Sequence, residues 1–146
     1  DCCPMLGVLS LSAIFAAERV LVPVSADYLA VKGAMQVDRT LNALSRVVGR
    51  RIERRYVITR FDGRRRMSWD ILETFKARFG ADLAESRISE NVSIAESPFR
   101  ERDVFAHAPA SRGAADYAAL FEELEATGCP GEALGRGEPE PLAAVA

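Results

Sequence analysis

Several residues and motifs that define common classes of protein are scarce or missing in this chain. Its 146 residues include three Cys and one His, and their spacing forms no zinc site, no Cys-x-x-Cys pair and no catalytic triad. A phosphate loop of the G-x-x-x-x-G-K-[ST] kind does not occur in the sequence. The chain also does not begin with Met. These absences argue against a disulfide scaffold, a zinc domain and a self-contained nucleotide hydrolase of the phosphate-loop type.

Charge and hydropathy argue against two further classes, strongly basic nucleic-acid-binding proteins and proteins with a secretory signal. The net charge is −2, so DNA binding would require a local basic patch. An apolar run at residues 5–17 resembles the core of a secretory signal, but no basic segment precedes it and it is too short to span a bilayer. We expect this run to form a helix packed on a sheet. The few Cys indicate a reducing cytoplasm.

The rest of the chain alternates between short apolar runs and helical periodicity. Apolar runs at residues 19–24, 56–59 and 83–88 predict three buried strands. Helical spacing predicts helices at residues 31–48, 69–79 and 113–126. Strands separated by helices predict an α/β fold, a parallel sheet with helices on both faces.

Local signals place the ends and the buried faces of these helices. Gly49 and Gly80 are the expected stops, and Ser68 is a candidate N-cap. A short helix or turn is expected at residues 91–95. The expected buried faces consist of Trp69, Leu72, Phe75 and Phe79 in one helix, and of Tyr117, Leu120, Phe121 and Leu124 in the last.

One domain is expected over residues 1–127, which is long enough to bury a core. Residues 128–146 are rich in Gly, Pro and Glu, and we expect a disordered tail there.

Five segments together carry a family resemblance. Residues 1–7 read Asp-Cys-Cys-Pro-Met-Leu-Gly, and residues 20–33 contain Val-Leu-Val-Pro-Val followed by Tyr-Leu-Ala-Val-Lys-Gly. Residues 59–64 read Thr-Arg-Phe-Asp-Gly-Arg, residues 89–98 read Ser-Glu-Asn-Val-Ser-Ile-Ala-Glu-Ser-Pro, and residues 113–120 read Gly-Ala-Ala-Asp-Tyr-Ala-Ala-Leu. In this order they resemble the second half of the ParA family, the chromosome and plasmid partitioning ATPases with a deviant Walker motif.

The resemblance implies a P-loop NTPase-like fold whose N-terminal half is missing from this chain. In such a fold, an Asp at the position of Asp1 ends a buried strand and holds Mg²⁺, usually through water, beside the phosphates of ATP. We therefore expect Asp1 to be the metal residue of the intact protein, and we expect no catalytic residue in the fragment. The alternative is that Asp1 is simply the first residue of an expressed piece.

The loops after the second and third predicted strands are expected at one edge of the sheet, where ligands of open parallel sheets bind. By resemblance, Thr59, Asp62 and Asn91 border the adenine of the nucleotide. The amide of Asn91 is able to hydrogen-bond a base edge, or it caps the short helix that follows. Both interpretations of Asn91 stay open.

Three residues depart from the family pattern near this edge. Ser89 and Glu90 stand where the family usually has Pro-Arg, and Ser93 replaces an Arg. We therefore expect nucleotide contacts or surface charge to differ from those common in the family.

The basic run Arg64, Arg65 and Arg66 is the best candidate for nucleic-acid contact. Guanidinium groups pair bidentately with phosphates, and such a cluster binds DNA without reading sequence. Arg64 also matches a family position. The alternative is a solvated loop, or arginines that pair with nearby acids. Further arginines lie close by or upstream, namely Arg60, Arg50, Arg51, Arg54 and Arg55.

The resemblance also implies partners and a location. ParA-like proteins form an ATP sandwich homodimer that binds DNA nonspecifically, and a ParB-like partner stimulates hydrolysis, which moves a cargo along the nucleoid. The segment containing Lys32 and Gly33 is then a loop near the dimer interface. We expect a cytoplasmic, nucleoid-associated protein that does not bind membranes.

Two alternatives differ in function. A non-hydrolysing regulator that binds DNA or a ParA-like partner fits the missing phosphate loop and the departures at Ser89 and Glu90. A related ATPase of the MinD or cobyrinic-acid-synthase kind shares the fold. A basic amphipathic helix at the C-terminus would favour MinD, and the tail of this sequence has no such pattern.

Overall fold

Three parallel strands, in the order β1-β2-β3, form the sheet of this protein. The computed structural model describes residues 7–127, so Asp1 and the tail predicted at residues 128–146 lie outside the described residues. The elements are α1 (Val8–Ala16), β1 (Arg19–Ser25), α2 (Tyr28–Val48), β2 (Glu53–Phe61), α3 (Arg66–Phe79), a 3₁₀ turn (Gly80–Asp82), β3 (Leu83–Ser89), α4 (Val92–Glu96), a second 3₁₀ turn (Pro98–Arg100), α5 (Val104–His107) and α6 (Arg112–Ala126).

The middle strand β2 is buried on both faces. Successive side chains of a strand point to opposite faces, and Tyr56 and Ile58 pack in one apolar cluster while Val57 packs in another. The first cluster joins β2 to α2 and α3, through residues that include Val31 and Phe75. The second joins it to α6, through Leu120. Helices therefore cover both faces, and the predicted α/β class is confirmed.

The apolar run near the amino terminus forms α1, as predicted. Ile14 packs with Leu41 of α2 and with Ile52, and Val20 of β1 lies against the same cluster. No helix within residues 7–127 is long and apolar enough to cross a membrane.

Four predictions about helix ends and faces are wrong. Ser68 is not an N-cap, because α3 begins earlier, after Arg65, and Ser68 is buried within its first turn. Trp69 does not belong to the core and is 45% exposed. Tyr117 and Phe121, which were predicted on the buried side of α6, are 36% and 61% exposed. An α-helix turns 100° per residue, so α6 buries Leu120 against the sheet and directs Phe121 to its flank. The stops at Gly49 and Gly80 are confirmed.

Carboxylates of α6 bind backbone N–H groups of the outer strand β3. The two oxygens of Glu123 accept from the N–H groups of Glu85 and Ser86, at 2.9 and 2.8 Å. Asp116 accepts from the N–H of Ser89, at 2.8 Å. The N–H groups of an edge strand are usually available for pairing with another chain. In β3 these three N–H groups instead donate to side chains of α6. The contacts join α6 to β3 along the length of the strand.

The environment of Glu123 favours its ionised form. Burial raises the pKa of Glu123, but the hydrogen bonds from Ser86 and Glu85 and the charge of Arg55 outweigh burial, so the pKa lies below its ordinary value. The Arg55 Nη2 lies 3.7 Å from Glu123 Oε1. A carboxyl group with a lowered folded pKa stabilises the protein above its unfolded pKa.

We expect Glu123→Gln to lower the free energy of unfolding at neutral pH by about 0.5–1.5 kcal/mol, because its amide NH₂ would face one of the two backbone N–H donors that Glu123 now binds. Wild-type protein should lose this contribution as the pH falls below the ordinary value of 4.5 and through the lowered folded pKa. The variant should lack that component of acid destabilisation. Urea unfolding across the acid range measures both effects.

Glu122→Gln is the matched control, since Glu122 is the adjacent, exposed residue of the same helix. Equal stability and equal acid sensitivity of the two variants would contradict the role given to Glu123.

Candidate functional site

The three strands end at one edge of the sheet, and each is followed by a polar side chain that fixes the next turn. Asp27, after β1, accepts from the N–H of Ala30 and caps α2, which lowers the pKa of Asp27. Asp62, after β2, accepts from the N–H of Arg64 at 3.0 Å. Asn91, after β3, caps α4. This edge is where ligands of open parallel sheets bind.

The end of β2 carries a strained residue. Arg60 has a φ of 53°, and the pairing of β2 with β3 is irregular between Ile58 and Phe61. A left-handed conformation costs a residue with a Cβ roughly 1–2 kcal/mol, and such strain clusters at functional sites. Beyond the irregularity, Phe61 is buried and its carbonyl accepts from the N–H of Glu90 at 3.1 Å. The irregularity therefore sets the position of the loop after β2.

A salt bridge joins the loops after β2 and β3. Arg60 Nε lies 3.0 Å from Glu90 Oε2. Glu90 is one of the departures from the family pattern, and its negative charge in this protein pairs with Arg60. Both side chains are exposed, so the pair contributes about 0–1 kcal/mol to stability. Its main effect is on the charge and geometry of this edge.

A cavity of about 830 Å³ opens between these loops. Asp62 and Asn91 both line it, together with Trp69, Arg87 and Arg112. The structure thus brings together two of the three residues that the resemblance placed beside the nucleotide. Thr59 is not part of the lining. Its carbonyl accepts from the N–H of Ala26 at 2.9 Å, which ties the end of β2 to the loop after β1.

Asn91 is a cap in this structure. Its Oδ1 accepts from the N–H of Ser93 at 2.8 Å. The Nδ2 donor of Asn91 has no acceptor recorded among residues 7–127. Capping and contact with a ligand therefore use different atoms of one side chain, so the two interpretations of Asn91 are compatible.

Arg87 was not predicted to line this site, and Trp69 was predicted to lie in the core instead. The Arg87 guanidinium lies over the rings of Phe61 and Trp69, 4.9 and 5.6 Å from their centroids. Phe61 and Trp69 meet edge to face, and Trp69 Nε1 donates to the carbonyl of Gly63 at 2.9 Å. The three residues come from β2, α3 and β3. No local pattern signals this stack, because it depends on the pairing of strands distant in sequence.

Asp62 pairs with two of the three arginines in the basic run that follows it. Arg64 Nε and Arg65 Nε lie 3.0 and 3.4 Å from its carboxylate. The hydrogen bonds from Arg64 lower the pKa of Asp62, and the same contact raises the pKa of Arg64. Arg66 begins α3 and has no ion pair recorded within the described part of the chain. Of the three arginines, Arg66 is therefore the one whose charge is not shared with Asp62.

The upstream arginines do not extend this basic run. Arg54 lies near the start of β2, whereas Arg60 lies near its end. A strand of nine residues spans about 30 Å at 3.3 Å per residue. Arg50 and Arg51 precede β2 and so belong to the opposite edge of the sheet.

The segment containing Lys32 and Gly33 was predicted to be a loop, and this prediction is wrong. Both residues lie within α2, because Asp27 caps that helix and starts it at Tyr28. The Lys32 Nζ lies 4.9 Å from the centroid of the Tyr28 ring.

The predicted Mg²⁺ residue, Asp1, lies outside the described residues. Within residues 7–127, no three His, Cys, Asp or Glu side chains form a group able to hold a metal ion. The single His, His107, lies in α5 with its Nε2 3.7 Å from Glu96 Oε2.

Comparison with known proteins agrees with this architecture. A protein-family profile described as an AAA domain matches residues 1–53. The structure of the cell division ATPase MinD of Pyrococcus furiosus superposes with a TM-score of 0.64 at 21% identity, covering 87% of this chain and 50% of that one. The chain therefore has a P-loop NTPase-like α/β fold.

Relatives found by sequence similarity give more detail than the fold alone. The chain is 35% identical over 127 residues to the chromosome-partitioning ATPase Soj of Thermus thermophilus, covering 86% of this chain and 51% of that protein. It is 29% identical over 125 residues to the chromosome partitioning protein ParA of Myxococcus xanthus, covering 85% and 44%. Over most of its length the chain is similar to ParA and Soj proteins, which supports its assignment to the ParA family. It spans about half the length of the curated relatives it matches.

Gly113, at the start of α6, allows close packing beside the cavity. A Cβ at this position would lie 2.6 Å from Ile94 Cγ1 and 3.4 Å from Asn91 Cγ. We expect Gly113→Ala to lower the free energy of unfolding by about 1–3 kcal/mol, because Ile94 must move. The amide signals of Asn91 and Ser93 should also shift in an NMR spectrum.

Gly33→Ala is the matched control, because Gly33 also lies in a helix and its added Cβ would meet nothing within 4 Å. This change should stabilise the protein by about 0.5–1 kcal/mol. If both variants were stabilised, close packing at Gly113 would not be a constraint.

Proposed function

We propose that this chain supplies part of a ParA-type ATPase that binds ATP with Mg²⁺ as a sandwich dimer, binds DNA nonspecifically and positions a chromosome, plasmid or other cargo. The observation that carries the proposal is the set of family segments in family order, two of which border one cavity as the loops after β2 and β3. Relatives named as chromosome-partitioning ATPases support it.

The proposed nucleotide contacts are those of the cavity edge. Asn91 retains an Nδ2 donor suited to a ring nitrogen of adenine. Asp62, held by Arg64 and Arg65, keeps the loop after β2 in place. Thr59 acts indirectly in this proposal, through its backbone link to the loop after β1. If the phosphates and Mg²⁺ are bound, the carboxylate of Asp1 is the expected metal residue, through water.

The proposed dimer surface lies at the start of α2. Tyr28 and Leu29 are largely exposed there, next to Lys32. Apolar side chains beside a cation on the ligand-binding edge suit contact with a second subunit across a shared nucleotide. A ParB-like partner that stimulates hydrolysis, and association with the nucleoid, follow from the same proposal and rest on the family alone.

A second candidate function is a ParA-like regulator that binds DNA or a partner without hydrolysis. The salt bridge between Arg60 and Glu90 favours it, because an acid stands at this edge where the family usually has Arg. A negative charge there disfavours the phosphates of a bound nucleotide nearby. The two candidates differ in whether a phosphate loop reaches this edge.

We expect the purified 146-residue chain to show no Mg²⁺-dependent ATP turnover, because its sequence carries no phosphate loop. Steady-state phosphate release, with and without Mg²⁺, measures this. Turnover that requires Mg²⁺ would contradict the expectation.

The coding DNA upstream of the Asp1 codon separates the two candidates. An in-frame Gly-rich, Lys-containing loop followed by an apolar strand supports the ATPase. A stop codon immediately upstream would contradict the ATPase proposal for this polypeptide and support the non-hydrolysing regulator.

We expect replacement of Arg64, Arg65 and Arg66 by Gln to weaken binding to duplex DNA to a similar extent for all sequences. Each lost phosphate contact should lower the slope of log K against log salt by about 0.9. The single change Arg66→Gln should account for most of the loss, because Asp62 shares the other two charges. Fluorescence anisotropy over a range of salt concentrations measures the slopes.

Arg39→Gln is the control, since Arg39 is an exposed residue of α2 distant in sequence from the basic run. Equal salt slopes for the triple variant and this control would remove the basic run from the DNA-binding surface.

A further inference from the structure

A second cavity, of about 550 Å³, lies at the edge of the sheet opposite the candidate nucleotide site. It is formed where α2 ends and the chain turns into β2. Its lining is dominated by arginines and consists of Asn42, Ser45, Arg46, Gly49, Arg50, Arg51 and Arg54.

Arg54 is the buried member of this group, with only 10% of its side chain exposed. Its Nη2 donates to Asn42 Oδ1 at 2.9 Å and lies 3.2 Å from Asp38 Oδ1. Its Nε and Nη1 have no hydrogen-bond acceptor among the described residues, and Nε has only an ionic contact with Asp82 at 3.6 Å. Buried donors without acceptors are rare in native proteins, and each calls for a ligand, a water or an ion.

Acids nearby do not neutralise the arginines of the cavity. Asp82 is shared between Arg51, at 2.8 Å, and Arg54. Asp38 is shared between Arg54 and Arg78, the latter at 3.8 Å. The cavity walls therefore carry more positive than negative charge.

The two remaining arginines of the rim have no acidic partner within residues 7–127. Arg50 donates to the carbonyl of Phe15 at 3.1 Å, and no ion pair of Arg46 is recorded there. The carboxyl end of a helix disfavours an anion, and α2 ends here. Several guanidinium groups outweigh that effect, because a charge-assisted hydrogen bond is stronger than the interaction with a helix end.

We propose that this cavity binds a phosphate group. Arg46, Arg50 and Arg54 all line the cavity, and their guanidinium groups are the proposed ligands of the oxyanion. Guanidinium groups suit tetrahedral oxyanions because their planar N–H pairs match two oxygens at once. The group is either free phosphate or a phosphodiester of a nucleic acid, and both present the same oxygens. The site is independent of the nucleotide proposal, being at the other end of β2.

Thermal unfolding of the 146-residue chain tests the site. An anion that binds the folded state raises Tm in proportion to ln(1 + [L]/Kd). Sodium phosphate should therefore raise Tm above its value in sodium chloride of equal ionic strength. The double variant Arg46→Gln, Arg50→Gln should show at least about tenfold weaker phosphate affinity, as expected for two lost charge-assisted hydrogen bonds. Arg54 is left intact, because its loss would leave Asp38 buried without its partner.

Arg39→Gln is the control, since it removes one positive charge from α2 outside the cavity and should keep the wild-type response. A short DNA duplex, added while the NMR signals of residues 45–54 are followed, separates the two sources. Shifts with duplex that are lost in the double variant assign a phosphodiester, and a response to phosphate alone assigns free phosphate. If neither probe acts, or if both act equally on the double variant, the cavity holds only water and the proposal is wrong.

Discussion

The double burial of β2 is the constraint on which the rest of this structure depends. Tyr56 and Ile58 fill one face and Val57 the other, so α2, α3 and α6 can only pack where this strand places them. Burial, together with the charge of Asp38, raises the pKa of Tyr56 and keeps it a neutral donor. Its hydroxyl donates to Asp38 at 3.3 Å, which anchors α2 to the strand. Both candidate sites are built on the two ends of β2.

Arginine–carboxylate contacts between elements complement this apolar core. Arg60 with Glu90 links two loops at the carboxyl edge, and Arg55 with Glu123 lies where α6 binds β3. Arginines paired with carboxylates in this way have a structural role, so a count of basic residues overstates the surface available to DNA. The arginines that are not fully paired are the candidates for binding a ligand. Among residues 7–127, Arg66 has no acidic partner at one edge, and Arg54 has donors without acceptors at the other.

The sequence predicted the elements well because burial sets their periodicity. All three strands, the long helix α2 and the stops at Gly49 and Gly80 are signalled by local residues alone. The errors about buried faces have one physical origin, since Trp69, Tyr117 and Phe121 are apolar residues at helical spacing whose exposure depends on where the sheet ends. The stacking of Arg87 on Trp69 and the unmatched donors of Arg54 depend on contacts between distant segments, and no local pattern encodes those.

The two sides of the sheet differ in whether they can accept another strand. Carboxylates of Glu123 and Asp116 already occupy N–H groups of β3, which makes that side a poor template for backbone pairing. Within residues 7–127, β1 pairs only with β2, so its other side remains open to pairing. The two sides of the sheet thus differ in how readily they accept a further strand. A further strand would therefore add more readily beside Val22 and Val24 of β1 than beside β3.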